Sequence, residues 1–146
     1  MPRFSLVLAA LAVVAAPVRA QDNGISPTTT IWSGVYSEEQ AAQGERLYET
    51  ACGDCHGKEL DGDPGQGFPA LASPGFMVEW DRQTMADLVR HMHTRPNDNP
   101  GDMDPLTAVQ MTAFILKRNG VPSGKTPLST DVREEAKILF TQEKPK

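Results

Sequence analysis

The stretch Cys52-Gly53-Asp54-Cys55-His56 constrains this chain more than any other feature. It contains both cysteines of the chain and places a histidine directly after the second one. Two thiols at this spacing can form a disulfide, contribute to a zinc site, act as a redox dithiol or anchor a haem. The fold and the function open to the chain depend on which of these chemistries applies.

Three of these four interpretations leave part of the stretch unexplained. A zinc site needs four ligands, and the other two histidines, His91 and His93, are two positions apart at a helix end, where side chains diverge. A thioredoxin-like dithiol follows a strand in a βαβ unit, whereas a predicted helix precedes Cys52. A disulfide remains open, but it gives no role to His56.

Covalent attachment of a haem accounts for every position of the stretch. The two thiols add to the two vinyl groups along one edge of the porphyrin, and the two residues between them set the separation. The next residue then lies beneath the iron, where a histidine is the proximal ligand. The favoured interpretation is therefore one haem c, held through thioethers from Cys52 and Cys55 and ligated by His56.

The first twenty residues have the layout of a secretory signal peptide. Arg3 is followed by an apolar run to Ala16, then by Pro17 and a small-residue cleavage signal that ends at Ala20. The run is shorter than the roughly 20 apolar residues of a membrane-spanning helix. We expect export to the periplasm and no stable membrane span after cleavage, with an uncleaved anchor as the alternative.

The charge of the chain is acidic, with a formal net charge of −5. Removal of Arg3 and Arg19 with the leader leaves 12 basic and 19 acidic residues, a formal charge of −7. Nucleic-acid binding requires clustered Lys and Arg, so this composition argues against it. A partner with a basic docking patch suits the acidic surface.

Beyond the leader, the pattern predicts an extended arm at 21–36, a helical domain at 37–128 and a tail with a short helix at 129–146. The first helix is expected over 38–51, with Ser37 as its N-cap and Gln40 as a capping-box partner. No alternating strand pattern of any length is visible. The fold class is therefore all-α, and the few aromatic residues suggest that a large apolar cofactor completes the interior.

Two further helices have clear start signals. Thr84 and Asp87 precede and open a helix over 85–94, and Asp104 caps a helix that begins with proline and runs to Arg118. The segment 57–81 is rich in Gly and Pro and is expected to be mostly loop. Such a stretch in a compact domain usually wraps around something.

The chain resembles class I mono-haem cytochromes c in two patterns, G-x-x-x-Y-x-x-x-C-x-x-C-H-G at 44–57 and M-x-x-F-I-L at 111–116. The resemblance covers about residues 32–128, and the longer frame is similar to small cytochrome c domains found beside periplasmic quinoprotein dehydrogenases. It implies a small cytochrome c fold of three to five helices wrapped around one covalently attached haem. It also implies an electron carrier, not an enzyme, that shuttles single electrons between a dehydrogenase and a downstream acceptor such as a terminal oxidase.

One position departs from the family pattern. The family places a second axial ligand, usually methionine in a Met-Pro pair, after the second helix, where this chain has Arg95-Pro96. Arginine has no free lone pair for iron. The candidates for the distal ligand, in order of preference, are Met103, Met92, and then His93 or His91. With an open or water-bound iron the alternative function is a haem-based ligand-binding or sensor protein.

Other residues are expected to surround the haem because of their loop positions and their apolar character. The expected pocket residues are Phe68, Pro69, Leu71 and Phe76. Trp80 has two interpretations, donation of its indole N–H to a haem propionate or simple core packing.

Overall fold

The computed structural model describes residues 25–94 and 103–144. The predicted signal peptide at 1–20, the first residues of the arm and Arg95-Pro96 lie outside this part of the chain. The described ranges contain six helices, two short strands and one 3₁₀ turn at Ile31–Ser33. In chain order they are β1 (Thr29–Thr30), α1 (Glu38–Ala51), α2 (Gly53–His56), α3 (Pro74–Trp80), α4 (Met85–His93), α5 (Pro105–Arg118), α6 (Val132–Glu135) and β2 (Ile138–Leu139). The predicted all-α class is confirmed.

The centre of the fold is the crossing of α1 and α5. Gly44 on α1 lies so close to α5 that an added Cβ would overlap the backbone carbonyl of Gln110. Beside this contact, the rings of Tyr48 and Phe114 pack with their centroids 5.4 Å apart. The glycine costs helix propensity but allows close approach of the two backbones. The crossing fixes the direction in which α1 leads into Cys52.

The predicted N-caps are present, but Gln40 does not complete the capping box that was expected at the start of α1. The Ser37 hydroxyl accepts a hydrogen bond from the Gln40 backbone N–H at 3.2 Å, but the Gln40 side chain does not return it. The side-chain amide instead donates to the Leu128 carbonyl at 2.9 Å and accepts from the Leu128 N–H at 2.7 Å. The complete capping box is the one formed by Thr84 and Asp87. Asp104 caps α5 through two backbone N–H groups, as predicted.

The segment 57–81 is mostly loop, as expected, but it ends in a seven-residue helix that the sequence analysis missed. Ser73 is the N-cap of α3 and accepts from the Phe76 N–H at 3.1 Å. Pro74 occupies the first helical position, which suits proline because its missing N–H has no partner there. The signal was therefore present in the sequence, in a window too short to show helical periodicity.

The arm and the tail pack on each other and on the helices. Strands β1 and β2 pair in parallel, with Thr29 opposite Ile138 and Thr30 opposite Leu139. The indole N–H of Trp32 donates to the Thr141 carbonyl at 2.9 Å and so joins the arm to the tail. Phe140 is completely buried. The tail also contains the four-residue helix α6.

No helix within the described ranges is both long and apolar enough to cross a membrane.

Candidate haem site

Helix α1 delivers Cys52 directly to the one-turn helix α2. The Cys52 N–H donates to the Tyr48 carbonyl at 2.8 Å and so completes α1. The Cys52 carbonyl then accepts from the N–H groups of Cys55 at 3.1 Å and His56 at 2.9 Å. Residues three apart in a helical turn lie on the same side, so both thiols face one way. Cys52 is half-buried, Cys55 is exposed, and neither is in a disulfide in the structure.

The turn after His56 depends on Tyr48 and Gly57. The Tyr48 hydroxyl donates to the Gly57 carbonyl at 2.7 Å. Gly57 has a φ of +75°, and a Cβ there would overlap the Asp61 carboxylate, so only glycine fits. Burial, with a smaller contribution from Cys52, holds the pKa of Tyr48 well above its usual range. The hydroxyl therefore keeps the proton that it donates.

The imidazole of His56 is oriented by a single backbone contact. Its Nδ1 lies 2.8 Å from the Pro69 carbonyl oxygen. A carbonyl can only accept, so Nδ1 carries the proton, and in the neutral ring Nε2 then has a free lone pair. The Phe68 ring packs edge-on against the imidazole, with the centroids 5.9 Å apart. This is the tautomer and the support that a metal-ligating histidine requires.

Pro69 belongs to a segment that we call the strap, residues 68–73. Phe68 exchanges two backbone hydrogen bonds with Asp63, both 2.9 Å long. Gly62, with a φ of +71°, lies so close beneath Pro69 that a Cβ would stand 2.6 Å from the strap backbone. The strap is thus held against the loop that follows His56.

Leu60 holds the middle of the strap. Its carbonyl accepts from the N–H groups of Leu71 at 2.8 Å and Ala72 at 3.1 Å. Leu60 is completely buried and has a φ of +61°, a left-handed conformation that is unfavourable for a bulky residue. Strained backbone of this kind persists where the surroundings over-determine it, often beside functional groups. No sequence pattern marked Leu60 for this role.

The environment of Cys52 is unlike that of a redox-active dithiol. Burial raises the pKa of the Cys52 thiol, and the neighbouring Cys55 raises it further. Redox dithiols instead depend on a lowered thiol pKa, because the thiolate is the nucleophile. Separately, no group of three or more His, Cys, Asp or Glu side chains in residues 25–94 and 103–144 is placed to hold a metal ion.

Two of the distal-ligand candidates meet in space. The Nδ1 of His93 lies 2.8 Å from the Met103 carbonyl oxygen, so Nδ1 is the protonated ring nitrogen here as well. Met103 is half-buried and packs against the core. Met92, on α4, is only 8% exposed. His93 and Met103, which are alternative distal ligands by sequence, are thus in direct contact in the structure.

The remaining predicted pocket residues fall into two groups. Phe68 and Pro69 lie at His56, and Leu71 lies two residues further along the strap. Phe76 and Trp80 belong to a separate aromatic cluster, in which Trp80 packs against His91 with centroids 5.3 Å apart and Phe76 packs against Phe140 at 6.1 Å. Trp80 is 6% exposed, a burial typical of core packing.

The comparison with protein families identifies the class. The family model described as cytochrome c oxidase, cbb3-type, subunit III matches residues 39–115, which is more than half of the chain. The chain belongs to this family of c-type cytochromes. The match confirms the predicted resemblance to class I mono-haem cytochromes c, which bind haem c and act in haem-based electron transfer. Searches of curated proteins and of solved structures returned no significant match.

The matched residues cover the elements that form the candidate haem site. It begins one residue inside α1 and ends within α5, so it spans the helix crossing, the cysteine turn, the strap and α4. The donor set at the turn suits a c-type haem, because it offers two unpaired thiols on one side of a helical turn and a histidine with a free Nε2. This c-type cytochrome therefore contains residues that fit the cofactor of its family.

Proposed function

We propose that this cytochrome is a periplasmic electron carrier with one haem c attached through Cys52 and Cys55, and with His56 as proximal ligand. The observation that carries the proposal is the bond from His56 Nδ1 to the Pro69 carbonyl, directly beside two unpaired cysteines. When bound, the haem iron alternates between ferrous and ferric states and so takes up or releases one electron. No chemical transformation of a substrate is part of this role.

We favour Met103 as the distal ligand. A thioether that bonds an iron must be accessible at its sulfur, and Met103 is half-buried whereas Met92 is almost completely covered by protein. His93 supports this arrangement, because its ring nitrogen holds the Met103 backbone. A methionine ligand gives a higher reduction potential than a second histidine does.

The partner proposal rests on charge and on family. Asp54 lies within the cysteine turn, and Glu49 and Asp61 lie before and after it along the chain. All three carboxylates are exposed, and Lys58 is the one exposed cation between residues 49 and 61. A basic docking patch on the partner suits this surface, which we call the acidic face (Glu49, Asp54 and Asp61). The donor is expected to be a dehydrogenase, such as a periplasmic quinoprotein dehydrogenase. The description of the matched family favours a terminal oxidase as the acceptor.

The experiment that tests the function is production with a complete cytochrome maturation system, followed by denaturation in acid. Haem bound through thioethers stays with the polypeptide, and its mass adds to that of the mature chain. The Cys52→Ser/Cys55→Ser double variant is expected to release all haem under the same conditions. A wild-type protein that is colourless, or that releases its haem, contradicts the proposal. A measured mass that equals haem plus the uncleaved chain from Met1 contradicts the predicted cleavage of the signal peptide.

A further inference from the structure

Asn119 connects the strap to the end of α5 through its side-chain amide. Its Oδ1 accepts from the Ser73 backbone N–H at 3.1 Å, and its Nδ2 donates to the Leu71 carbonyl at 2.8 Å. The same Nδ2 donates to the Ile115 carbonyl at 2.9 Å. Backbone N–H groups only donate and carbonyls only accept, so these partners fix which side-chain atom is oxygen and which is nitrogen.

The Asn119 backbone is itself fixed, so the amide is presented from a rigid position. Its N–H donates to the Ile115 and Leu116 carbonyls, both at 3.1 Å, at the C-terminus of α5. Gly120 follows with a φ of +75° and ends the helix. In the sequence, the pair Asn119-Gly120 is typical of a helix C-terminus and indicates nothing more. The hydrogen bonds of the side chain to residues 71 and 73 have no local sequence signature, because those partners lie more than 40 positions earlier.

Through these contacts, the cysteine turn and the strap are both attached to α5. Helix α1 sets the position of the cysteine turn, and it is locked against α5 by the contact of Gly44 with Gln110. Asn119 ties the strap to the same helix α5. The distance between His56 and the Pro69 carbonyl is thus determined from both sides. The other contacts of the strap, to Leu60, Gly62 and Asp63, come from the loop that directly follows His56. That loop links the strap to α5 only indirectly, through the exposed ion pair of Arg118 with Glu59, whereas Asn119 joins the strap itself to α5.

We propose that Asn119 is a positioning residue that sets the hydrogen bond between His56 Nδ1–H and the Pro69 carbonyl and, through it, the reduction potential of the iron. The inference rests on the proposed role of His56 as proximal ligand. A strong acceptor at Nδ1–H increases the basicity of Nε2, which stabilises the ferric state. Loss of the Asn119 contacts removes the direct attachment of Leu71 and Ser73 to α5 and leaves the strap held only through Leu60, Gly62 and Asp63. The resulting shift of the Pro69 carbonyl weakens that acceptor and moves the reduction potential in the positive direction.

The test compares Asn119→Leu with a matched control. Leucine has nearly the shape of asparagine and makes none of its hydrogen bonds. Gln40→Leu is the control, since Gln40 also joins two segments by a pair of backbone hydrogen bonds, here with Leu128, but does not touch the strap. Three quantities are measured on each holoprotein, namely covalent haem content, midpoint potential and the solvent exchange rate of the His56 Nδ1 proton by NMR.

We expect full haem content in all three proteins, but a positive potential shift only in Asn119→Leu. Exchange of the Nδ1 proton should be about tenfold faster there, as expected for the loss of one to two hydrogen bonds. If Asn119→Leu does not accumulate, Asn119→Ser replaces it, because its shorter side chain cannot retain all three contacts. A haem-bearing variant with unchanged potential and exchange overturns the inference alone. A wild-type protein without covalent haem overturns the proposed function and this inference together.

Discussion

Gly44 and Gln110 are in backbone contact at the crossing of α1 and α5, with no room for a side chain between them. The contact lies eight residues before Cys52, so the packing of two helices determines where the cysteine turn stands. Loss of this contact would move α1 as a rigid element and displace both thiols relative to the strap. The position of the two thiols therefore depends on the packing of α1 against α5.

Gly44→Ala is expected to be strongly destabilising. The new methyl group overlaps the Gln110 carbonyl, and neither backbone can yield without separating the helices. We expect the free energy of unfolding of the holoprotein to fall by about 3 kcal/mol, a large effect for one methyl group. The free energy of unfolding is measured by denaturant titration, with circular dichroism as the readout.

The control for this substitution is Gly75→Ala. A Cβ at Gly75 meets only the Ser73 hydroxyl, at 3.6 Å, and the residue is helical. Alanine should be neutral or slightly stabilising there. Equal losses in both variants would show that the α1–α5 contact has no special role.

Met103→Ala is expected to change the ligation of the iron, whereas Met92→Ala should change stability alone. The ferric wild-type protein should give the optical and electron-paramagnetic signature of His/Met ligation. That signature should disappear in Met103→Ala. Met92→Ala should keep it and lose about 2–4 kcal/mol of stability, as expected for a buried methionine. A wild-type spectrum of bis-histidine or open iron would remove both methionines from consideration.

Glu135→Gln is expected to remove part of the pH dependence of stability. Glu135 is 4% exposed, and burial, with a smaller contribution from Asp131, raises the pKa of its carboxyl to about 7 from an ordinary 4.5. Between these values the folded protein holds a proton that the unfolded chain has released. The free energy of unfolding therefore falls as the pH rises through this window, by up to about 3 kcal/mol for this group.

The measurement is the free energy of unfolding by denaturant at about pH 5 and about pH 8. Glutamine cannot ionise, so Glu135→Gln should be more stable than the wild type at the higher pH and should lose less stability between the two. Glu134→Gln is the matched control, because its exposed carboxylate pairs with Lys137 at 2.6 Å on the surface. An equal pH dependence in Glu135→Gln and wild type would contradict the prediction.

The acidic face should make electron transfer sensitive to the charge of the reaction partner. We expect the rate with a small cationic ruthenium ammine complex to fall as salt is added, and the rate with an anionic cyano-iron complex to rise. Glu49→Gln/Asp54→Asn should weaken both salt dependences. Glu134→Gln/Glu143→Gln changes the net charge equally in the tail and should leave them nearly as in the wild type. Equal effects of the two pairs would mean that only net charge matters.

The helix starts were predictable because capping is a local chemistry. Ser37, Thr84 and Asp104 each accept from N–H groups two or three residues later, so a short window of sequence contains the whole interaction. The cysteine turn was predictable for the same reason. The buried face of α5 was less predictable, since Leu106, an apolar residue in the first turn of that helix, is 54% exposed.

The contacts that shape the site were not predictable from local pattern. The Pro69 carbonyl reaches His56 across 13 positions, and the path between them passes through left-handed Leu60 and three glycines with positive φ. Every residue has the same backbone carbonyl, so no sequence spacing identifies the carbonyl that accepts the hydrogen bond. The pairing of β1 with β2 joins residues more than 100 positions apart, and two-residue strands leave no periodicity to read.

The pairing of arm and tail has a consequence for the order of the chain. The Thr28 N–H donates to the Lys137 carbonyl at 2.8 Å, so the first and last segments of the described fold lie side by side. A short linker between them would join the ends without disturbing the helix crossing, and new termini could be opened at an exposed loop. Circular permutation of this cytochrome would thus change where the polypeptide starts while keeping the cysteine turn, the strap and their supports in place.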